Sequence, residues 1–388
     1  MPSRFKNPKA LLVSNRKNIL LLTNFRNDQQ KSMLRFGAML NIQDPKDEIK
    51  IEEIFPKPRF LNLMGTKKFK KWCAYIDKFI LFPRQINKLL TKKNYNLIHI
   101  IDHSNSIYLS KCKNYSIPKL ITCHDLIAIR TAQNEFPQAP KTSNSGRYLQ
   151  RWIKHSLQLG DYFACDSIQS KEDLNRNIPK SKNKSQVIHL GVSSNKKSIS
   201  FRQNALAAKY NLSQQGYFLH VGSSAWYKNR EAVLNSFKFI CEKNLQHFFK
   251  LVMVGPKIQK NELNCELYEW QKRNKDKVIT INSVIENDLQ CLYENAKVFL
   301  FPSLIEGFGW PPLEASSRNC PVITTRTGAI SDILKDSAIY INPNNPNELK
   351  NTLLSFLLQA ESTTRKVKIP SIEDCGAKYR SLYKKLIN

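Results

Sequence analysis

Short runs of β-branched or apolar residues alternate with longer amphipathic runs along most of this chain, and that alternation restricts the fold more than any other feature. Strands that are apolar along their whole length need cover on both faces. An order of strand, helix, strand supplies that cover by laying helices over a parallel sheet. In the first half the strand runs are "KNILLLTNF" (17–25), "YNLIHIID" (95–102), "KLITCHD" (119–125), "DYFACDS" (161–167) and "SQVIHLG" (185–191). Helical segments are predicted around 66–93 and at about 146–159, and "SKEDLNRNI" opens with Ser170 in a capping position three residues ahead of Asp173, with Ser167 read as a cap as well.

Residues 192–214 lose this rhythm and read as a connector with one short helix. The pattern then restarts with "YFLHVGS" (217–223), "FKLVMVG" (249–255), "VITINSV" (278–284), "KVFLFPS" (297–303), "PVITTRT" (321–327) and "AIYINP" (338–343). Helices are predicted from about Arg230, from Glu286 and from Pro311. A chain of 388 residues is long for one core, so the two halves read as two doubly wound α/β domains, and two domains imply a cleft. Ligands of such sheets sit beyond the carboxyl ends of the strands.

Composition narrows the class. A hydrophobic content of 41% supports real cores. Nine scattered cysteines without a C-x-x-C pair read as reduced thiols of a cytoplasmic protein. No secretory leader and no membrane-spanning run is read from the sequence. The net charge of +30 is uneven: residues 1–200 hold 36 Lys and Arg against 14 Asp and Glu, a net +22. Such a surface attracts nucleic acid, anionic lipid or phosphorylated substrates, although a chain rich in Lys and Asn throughout can carry solvated charge with no specific partner. Neither G-x-G-x-x-G nor G-x-x-x-x-G-K-[ST] follows a strand, so the usual phosphate cradles of nicotinamide enzymes and P-loop proteins are missing.

Four stretches carry chemistry. In "SLIEGFGWPPLE" (303–314), Glu306 lies just past a strand, Pro311 and Pro312 suit a first helical turn, and Glu314 falls in or near that turn. Gly307 and Gly309 remove side chains where backbone must bend or approach a ligand. In "HVGSSAWYKNREAVLNSF" (220–237), Lys228 follows a strand end and Asn229 stands where a helix cap belongs. In "ITCHDLIAIR" (121–130), His124 ends a strand, with Asp125 beside it either to orient the imidazole or to cap the next turn. In "GTKKFKKW" (65–72), Lys67, Lys68, Lys70 and Lys71 alternate with Phe69 and Trp72, a pattern suited to a lipid headgroup layer or to a solvated helix face.

The segment 288–334, "DLQCLYENAKVFLFPSLIEGFGWPPLEASSRNCPVITTRTGAISDIL", resembles the signature of family 4 retaining glycosyltransferases, which have the two-domain GT-B fold. That resemblance implies a Rossmann-like acceptor domain at 1–198, a nucleotide-sugar donor domain at 199–369, and a C-terminal helix at about 370–388 packing back onto the first. It also implies an E-x7-E pair in which Glu306 binds hydroxyls of the transferred sugar and Glu314 holds the ribose, with Phe308, Gly309 and Trp310 near sugar and diphosphate. Lys228 stands where the family neutralises the diphosphate. Ser223 follows Gly222 where many members carry Arg, leaving Arg230 as a candidate replacement. His124 corresponds to a histidine that reaches the donor sugar.

The implied activity is retaining, metal-independent transfer of a mannose- or glucose-type hexose from a GDP- or UDP-sugar to a glycan or lipid-linked acceptor. The nucleotide sugar is a co-substrate, and no cofactor is expected. Cell-surface polysaccharide synthesis, peripheral at the cytoplasmic membrane face and without nucleic acid, is the setting the resemblance implies. Two rivals remain at this stage: a basic nucleic-acid-binding protein on an α/β scaffold, and a sugar-nucleotide epimerase.

Overall fold

The apolar runs become strands wherever the alternation placed them. The computed structural model describes residues 16–28, 30–41, 48–61, 67–193, 205–243, 249–359 and 367–387. Among these, β1 (Lys17–Leu22), β2 (Ile49–Ile54), β3 (Leu97–Ile100), β4 (Lys119–Cys123), β5 (Tyr162–Cys165) and β6 (Ser185–Val187) form one sheet in the order β2-β1-β3-β4-β5-β6. The second sheet contains β7 (Tyr217–Val221), β8 (Lys250–Val254), β9 (Val278–Ile281), β10 (Val298–Phe301), β11 (Val322–Thr324) and β12 (Ile339–Tyr340), in the order β12-β11-β10-β7-β8-β9. The pairs β1–β2, β1–β3, β3–β4 and β5–β6 of the first sheet and all five pairs of the second are parallel.

The second order reverses direction between β7 and β10, which pair through Val298 with Phe218 and Phe299 with Leu219. In open parallel sheets the loops leaving the two strands at such a reversal diverge and leave a crevice for ligand. Here those loops are 222–229 and 302–309, two of the stretches picked out above. Beneath them Phe218, Phe237, Leu251, Met253, Val298 and Leu300 are fully buried in one core with the helices Arg230–Glu242 and Glu348–Leu358. Each such side chain contributes about 1.5–3 kcal/mol, so the strand ends stand on a rigid base.

Contacts divide the described residues into two units. One runs to Ile121 and takes in Leu159–Tyr162 and the residues from Gly376; the other comprises Thr122–Gln158 and Phe163–Cys375. In the first, the C-terminal helix Ile372–Ile387 meets β3 where the Tyr383 hydroxyl lies 2.7 Å from Nδ1 of buried His99 and Tyr379 stacks on the same imidazole. In the second, residues that follow β5 and β6 of the first sheet (Ile168, Gln169, Ser170 and Gly191) hydrogen-bond to positions within 307–332.

Three local expectations are corrected. The helix expected at 66–93 is present as Lys67–Ile76 and Phe82–Lys92, joined by a π turn at Asp77–Leu81. That turn coincides with Asp77, which points inward and accepts from the amides of Phe60 (3.0 Å) and Leu61 (3.1 Å). The edge strand β2, "IKIEEI", escaped the alternation because its glutamates are drawn into local bonds: Thr23 and Asn41 donate to Glu53, and Lys93 and Tyr95 to Glu52. Of the two serines read as caps, Ser167 caps the helix Ile168–Asn177 by accepting from the Ser170 amide, and Ser170 does not. The connector positions 194–204 lie outside the described residues.

Candidate functional site

The loop after β10 is shaped by its two glycines in different ways. Gly309 has a left-handed φ of 88°, and a Cβ there would come within 2.6 Å of Ile330, so only glycine fits. It immediately precedes the helix Trp310–Ser317, whose first turn takes Pro311 and Pro312 without losing a hydrogen bond. Gly307 is needed for close approach: its Cβ would sit 2.2 Å from the carbonyl oxygen of His124. What Gly307 approaches in this structure is therefore protein backbone. The Phe308 carbonyl accepts from the Ala329 amide, the Phe308 ring is buried edge-on to Trp310, and the Trp310 indole donates to the Gly191 carbonyl at 3.1 Å.

Glu306 is buried, and its amide donates to Thr327 Oγ1 at 2.9 Å. Its carboxylate receives Lys228 Nζ on both oxygens, at 2.7 and 3.0 Å. The loops after β7 and β10 are fastened together at two further points. The Leu304 amide donates to the Tyr227 carbonyl at 2.8 Å, and Asn229 Nδ2 donates to the Pro302 carbonyl at 3.1 Å. Lys228 is further held against the rings of Phe301 and Tyr227, 5.0 and 5.4 Å from their centroids. The family resemblance implies a diphosphate for this lysine and a sugar for this glutamate; in this structure their charges neutralise each other. Glu314 lies in the helix Trp310–Ser317 and accepts from the Tyr293 hydroxyl at 3.2 Å.

Around Lys228 the expectations are partly revised. Asn229 precedes the helix Arg230–Glu242 as foreseen but makes no capping bond, because its left-handed backbone (φ 52°) turns the amide side chain toward Pro302. The Gly222 amide donates to the Val254 carbonyl at 3.0 Å, while Ser223 is exposed, its hydroxyl accepting only a long 3.4 Å bond from the Ala225 amide. Arg230 is buried, paired with Glu262 at 2.9 Å and donating to the Pro256 carbonyl at 2.7 Å. Under the loop, His220 is fully buried with Nδ1 on the Leu300 carbonyl (2.9 Å). Burial pushes its pKa down to about 4, so the ring is neutral.

His124 is buried, and its Nδ1 meets Oδ2 of Asp166 at 2.5 Å. Asp166 itself is 1% exposed, and burial holds its carboxyl above the usual range, with the imidazole opposing that shift. The two readings of Asp125 are thereby resolved: it caps the turn by accepting from the Ile127 amide at 2.9 Å, and Asp166 meets the ring. Sequence reasoning passed over Asp166; the available signal was an acid one residue past β5, on the strand adjacent to the one that ends at His124. The Ser170 hydroxyl donates to the His124 carbonyl (2.8 Å) and also lies 3.4 Å from the Gly307 carbonyl, while Gln169 accepts from the Gly328 amide at 2.7 Å. One polar network therefore connects Asp166, His124 and the 306–328 region.

Away from this site, Lys70 and Trp72 of the helix Lys67–Ile76 are exposed, Trp72 by 69%; the side chains of Lys67, Lys68, Phe69 and Lys71 lie outside the described residues. Among the described residues no helix is long and apolar enough to cross a membrane.

Two family profiles cover most of the chain: "Glycosyltransferase Family 4" matches residues 64–196 and "Glycosyl transferases group 1" residues 202–368. Among curated relatives, O-antigen chain mannosyltransferase RfbU of Salmonella typhimurium is 30% identical over 146 residues, 36% of this chain and 38% of the relative. The capsular polysaccharide biosynthesis glycosyltransferase CapM of Staphylococcus aureus is 31% identical over 210 residues, 52% of this chain and 53% of the relative. The matches thus span between about two fifths and a little over half of those relatives' own length. Among solved structures, sucrose-phosphate synthase of Thermosynechococcus elongatus superposes with a TM-score of 0.71 at 17% identity, over 96% of this chain and 99% of that one. Anabaena HepE, solved with UDP and glucose, superposes with a TM-score of 0.68 at 13% identity, over 94% and 99%. At these identities the likeness concerns the fold, two Rossmann-like domains of GT-B type.

Proposed function

The chain belongs to the family 4, group 1 glycosyltransferases, and from that premise we propose that it moves a mannose- or glucose-type hexose from a GDP- or UDP-sugar to a hydroxyl of a glycan or lipid-linked acceptor. Mannosyltransferases of O-antigen synthesis and a capsular polysaccharide enzyme among its relatives support the sugar class and a role in cell-surface polysaccharide synthesis. The single observation that carries the reading is the Lys228–Glu306 pair at the reversal between β7 and β10. A lysine and a carboxylate that balance each other there can be separated by a ligand that brings its own anion and its own hydroxyls. An arriving diphosphate replaces Glu306 as the counter-ion of Lys228. The released carboxylate then accepts from hydroxyls of the sugar.

In this reading the transferred sugar becomes oxocarbenium-like as the diphosphate gains charge, and Lys228 stabilises the departing phosphate electrostatically. Glu314 takes the ribose hydroxyls, and His124 a hydroxyl of the sugar. Gly222, Ser223, Asn229 and Arg230 shape the phosphate loop, and Gly307, Phe308, Gly309 and Trp310 the sugar side. The acceptor attacks from the face the nucleotide leaves, so configuration is retained, and the departing phosphate takes the acceptor proton without a metal ion. Residues 199–369 handle the donor and residues 1–198 the acceptor. The basic, aromatic helix with Lys67, Lys68, Lys70 and Lys71 rests on the anionic cytoplasmic face of a membrane.

Thermal-shift titration with GDP-, UDP- and ADP-sugars, repeated with Glu306→Gln and Lys228→Ala, tests the donor assignment. Stabilisation by one nucleotide class that Lys228→Ala abolishes is expected, and turnover in EDTA with an α-anomeric product from an α-donor completes the case. No stabilisation by any nucleotide sugar would end it.

A further inference from the structure

We propose that Asp166 is a positioning residue that fixes the tautomer of His124, so that the imidazole presents Nε2 to a sugar hydroxyl as an acceptor. This rests on the reading of His124 above as a group that touches the donor sugar. Three observations carry it. Nδ1 and Oδ2 are within hydrogen-bond distance at 2.5 Å, and both groups are buried, so water does not compete for the bond. His124 and Asp166 stand one residue past the adjacent strands β4 and β5, so two sheet strands hold the spacing. The backbone behind the ring is pinned as well, because the His124 carbonyl accepts from Ser170.

The second carboxylate oxygen, Oδ1, has no hydrogen-bond partner among the described residues although it is buried. An asparagine could hold the ring by the same geometry without burying a charge, and a buried group left unpaired is costly. The carboxylate is therefore an expensive way to orient a histidine whose role is only structural. What a carboxylate does and an amide does not is to favour one tautomer and raise the basicity of the ring: Nδ1–H donates to Asp166, and the lone pair remains on Nε2. A second proton taken up by the dyad converts Nε2 into a donor and removes that acceptor. The pair lies in the field of Asp125, of His189, whose Nδ1 lies 2.8 Å from the Asp166 carbonyl, and of the neighbouring thiols of Cys123 and Cys165.

The test uses the full chain with the nucleotide sugar that the thermal-shift titration selects. Asp166→Asn is expected to lower kcat/KM at least tenfold, with the larger change in kcat, and to move the acid limb of the pH profile to lower pH, since the neutral amide no longer favours imidazolium. His124→Ala is expected to lose as much, and the double variant no more than His124→Ala alone. Asp166→Glu keeps the charge and is expected to recover the position of the acid limb. It also serves as the comparison if Asp166→Asn does not fold. A readout independent of turnover is the ¹⁵N spectrum of the His124 ring without substrate: Nδ1 protonated and Nε2 bare at neutral pH, with the ring pKa falling in Asp166→Asn. A ring protonated on Nε2 alone, a ring pKa unmoved by Asp166→Asn, or losses that multiply in the double variant would overturn the positioning role. Full activity in His124→Ala would instead overturn the reading of His124 on which it rests.

Discussion

Lys228 and Glu306 are the most direct place to perturb this molecule, because in the proposed function the same contact governs both stability and affinity for the nucleotide. The side chains are 14% and 7% exposed, and their charged atoms are 2.7 and 3.0 Å apart. At an effective dielectric of about 20, unit charges that close attract by roughly 6 kcal/mol, most of which offsets their desolvation. Removing one partner of a fully buried pair costs about 3–5 kcal/mol. With some solvent access here, Lys228→Met, which keeps the stem beside Phe301 and Tyr227, is expected to destabilise by about 2 kcal/mol, and Glu306→Gln by a similar amount. Because the double variant strands no charge, it should also lose only about 2 kcal/mol, a coupling of about 2 kcal/mol in the cycle. Urea unfolding of the four proteins without nucleotide measures this. Titration with the free nucleoside diphosphate then separates the roles: Lys228→Met binds it more weakly than wild type, whereas Glu306→Gln binds it more tightly, because the lysine no longer has to leave a carboxylate. Additive destabilisation, or nucleotide binding weakened equally by both substitutions, would refute the exchange of counter-ions.

Two further outcomes follow from the packing. Gly307→Ala places a methyl 2.2 Å from the His124 carbonyl where ordinary contact begins at 3.4 Å, so backbone must move by more than 1 Å. The expected cost is about 2 kcal/mol in unfolding free energy, together with a large loss of transfer; a variant with wild-type stability would show that 307 does not pack against 124. His220 binds fewer protons folded than unfolded between pH 6.5 and about 4, so the stability it confers is present above 6.5 and is lost as pH falls through that window. The total is about 3 kcal/mol, and His220→Gln should flatten the fall in unfolding midpoint across the same range. An unchanged pH dependence in that variant would remove His220 as its source.

The strand-and-helix rhythm was legible because burial on a sheet or helix leaves a local period. The runs at 217–223, 249–255, 278–284, 297–303, 321–327 and 338–343 became β7 to β12, each trimmed by a few residues at its ends. The double proline and left-handed glycine before Glu314 were equally local, since φ restrictions act within one or two residues. The edge strand β2 and the π turn at Asp77 were not legible, because partners elsewhere decided them: Thr23 and Asn41 for Glu53, and the amides of Phe60 and Leu61 for Asp77. The two contacts on which the proposed function turns are of the same kind. Lys228 meets Glu306 across 78 residues of chain and His124 meets Asp166 across 42. Sequence alone determined that an acid, a lysine and a histidine would stand at strand ends. Which carboxylate faces each of them was decided by the strand order of the two sheets, because side chains so far apart in the chain are brought together by strand pairing and not by any period a sequence can carry.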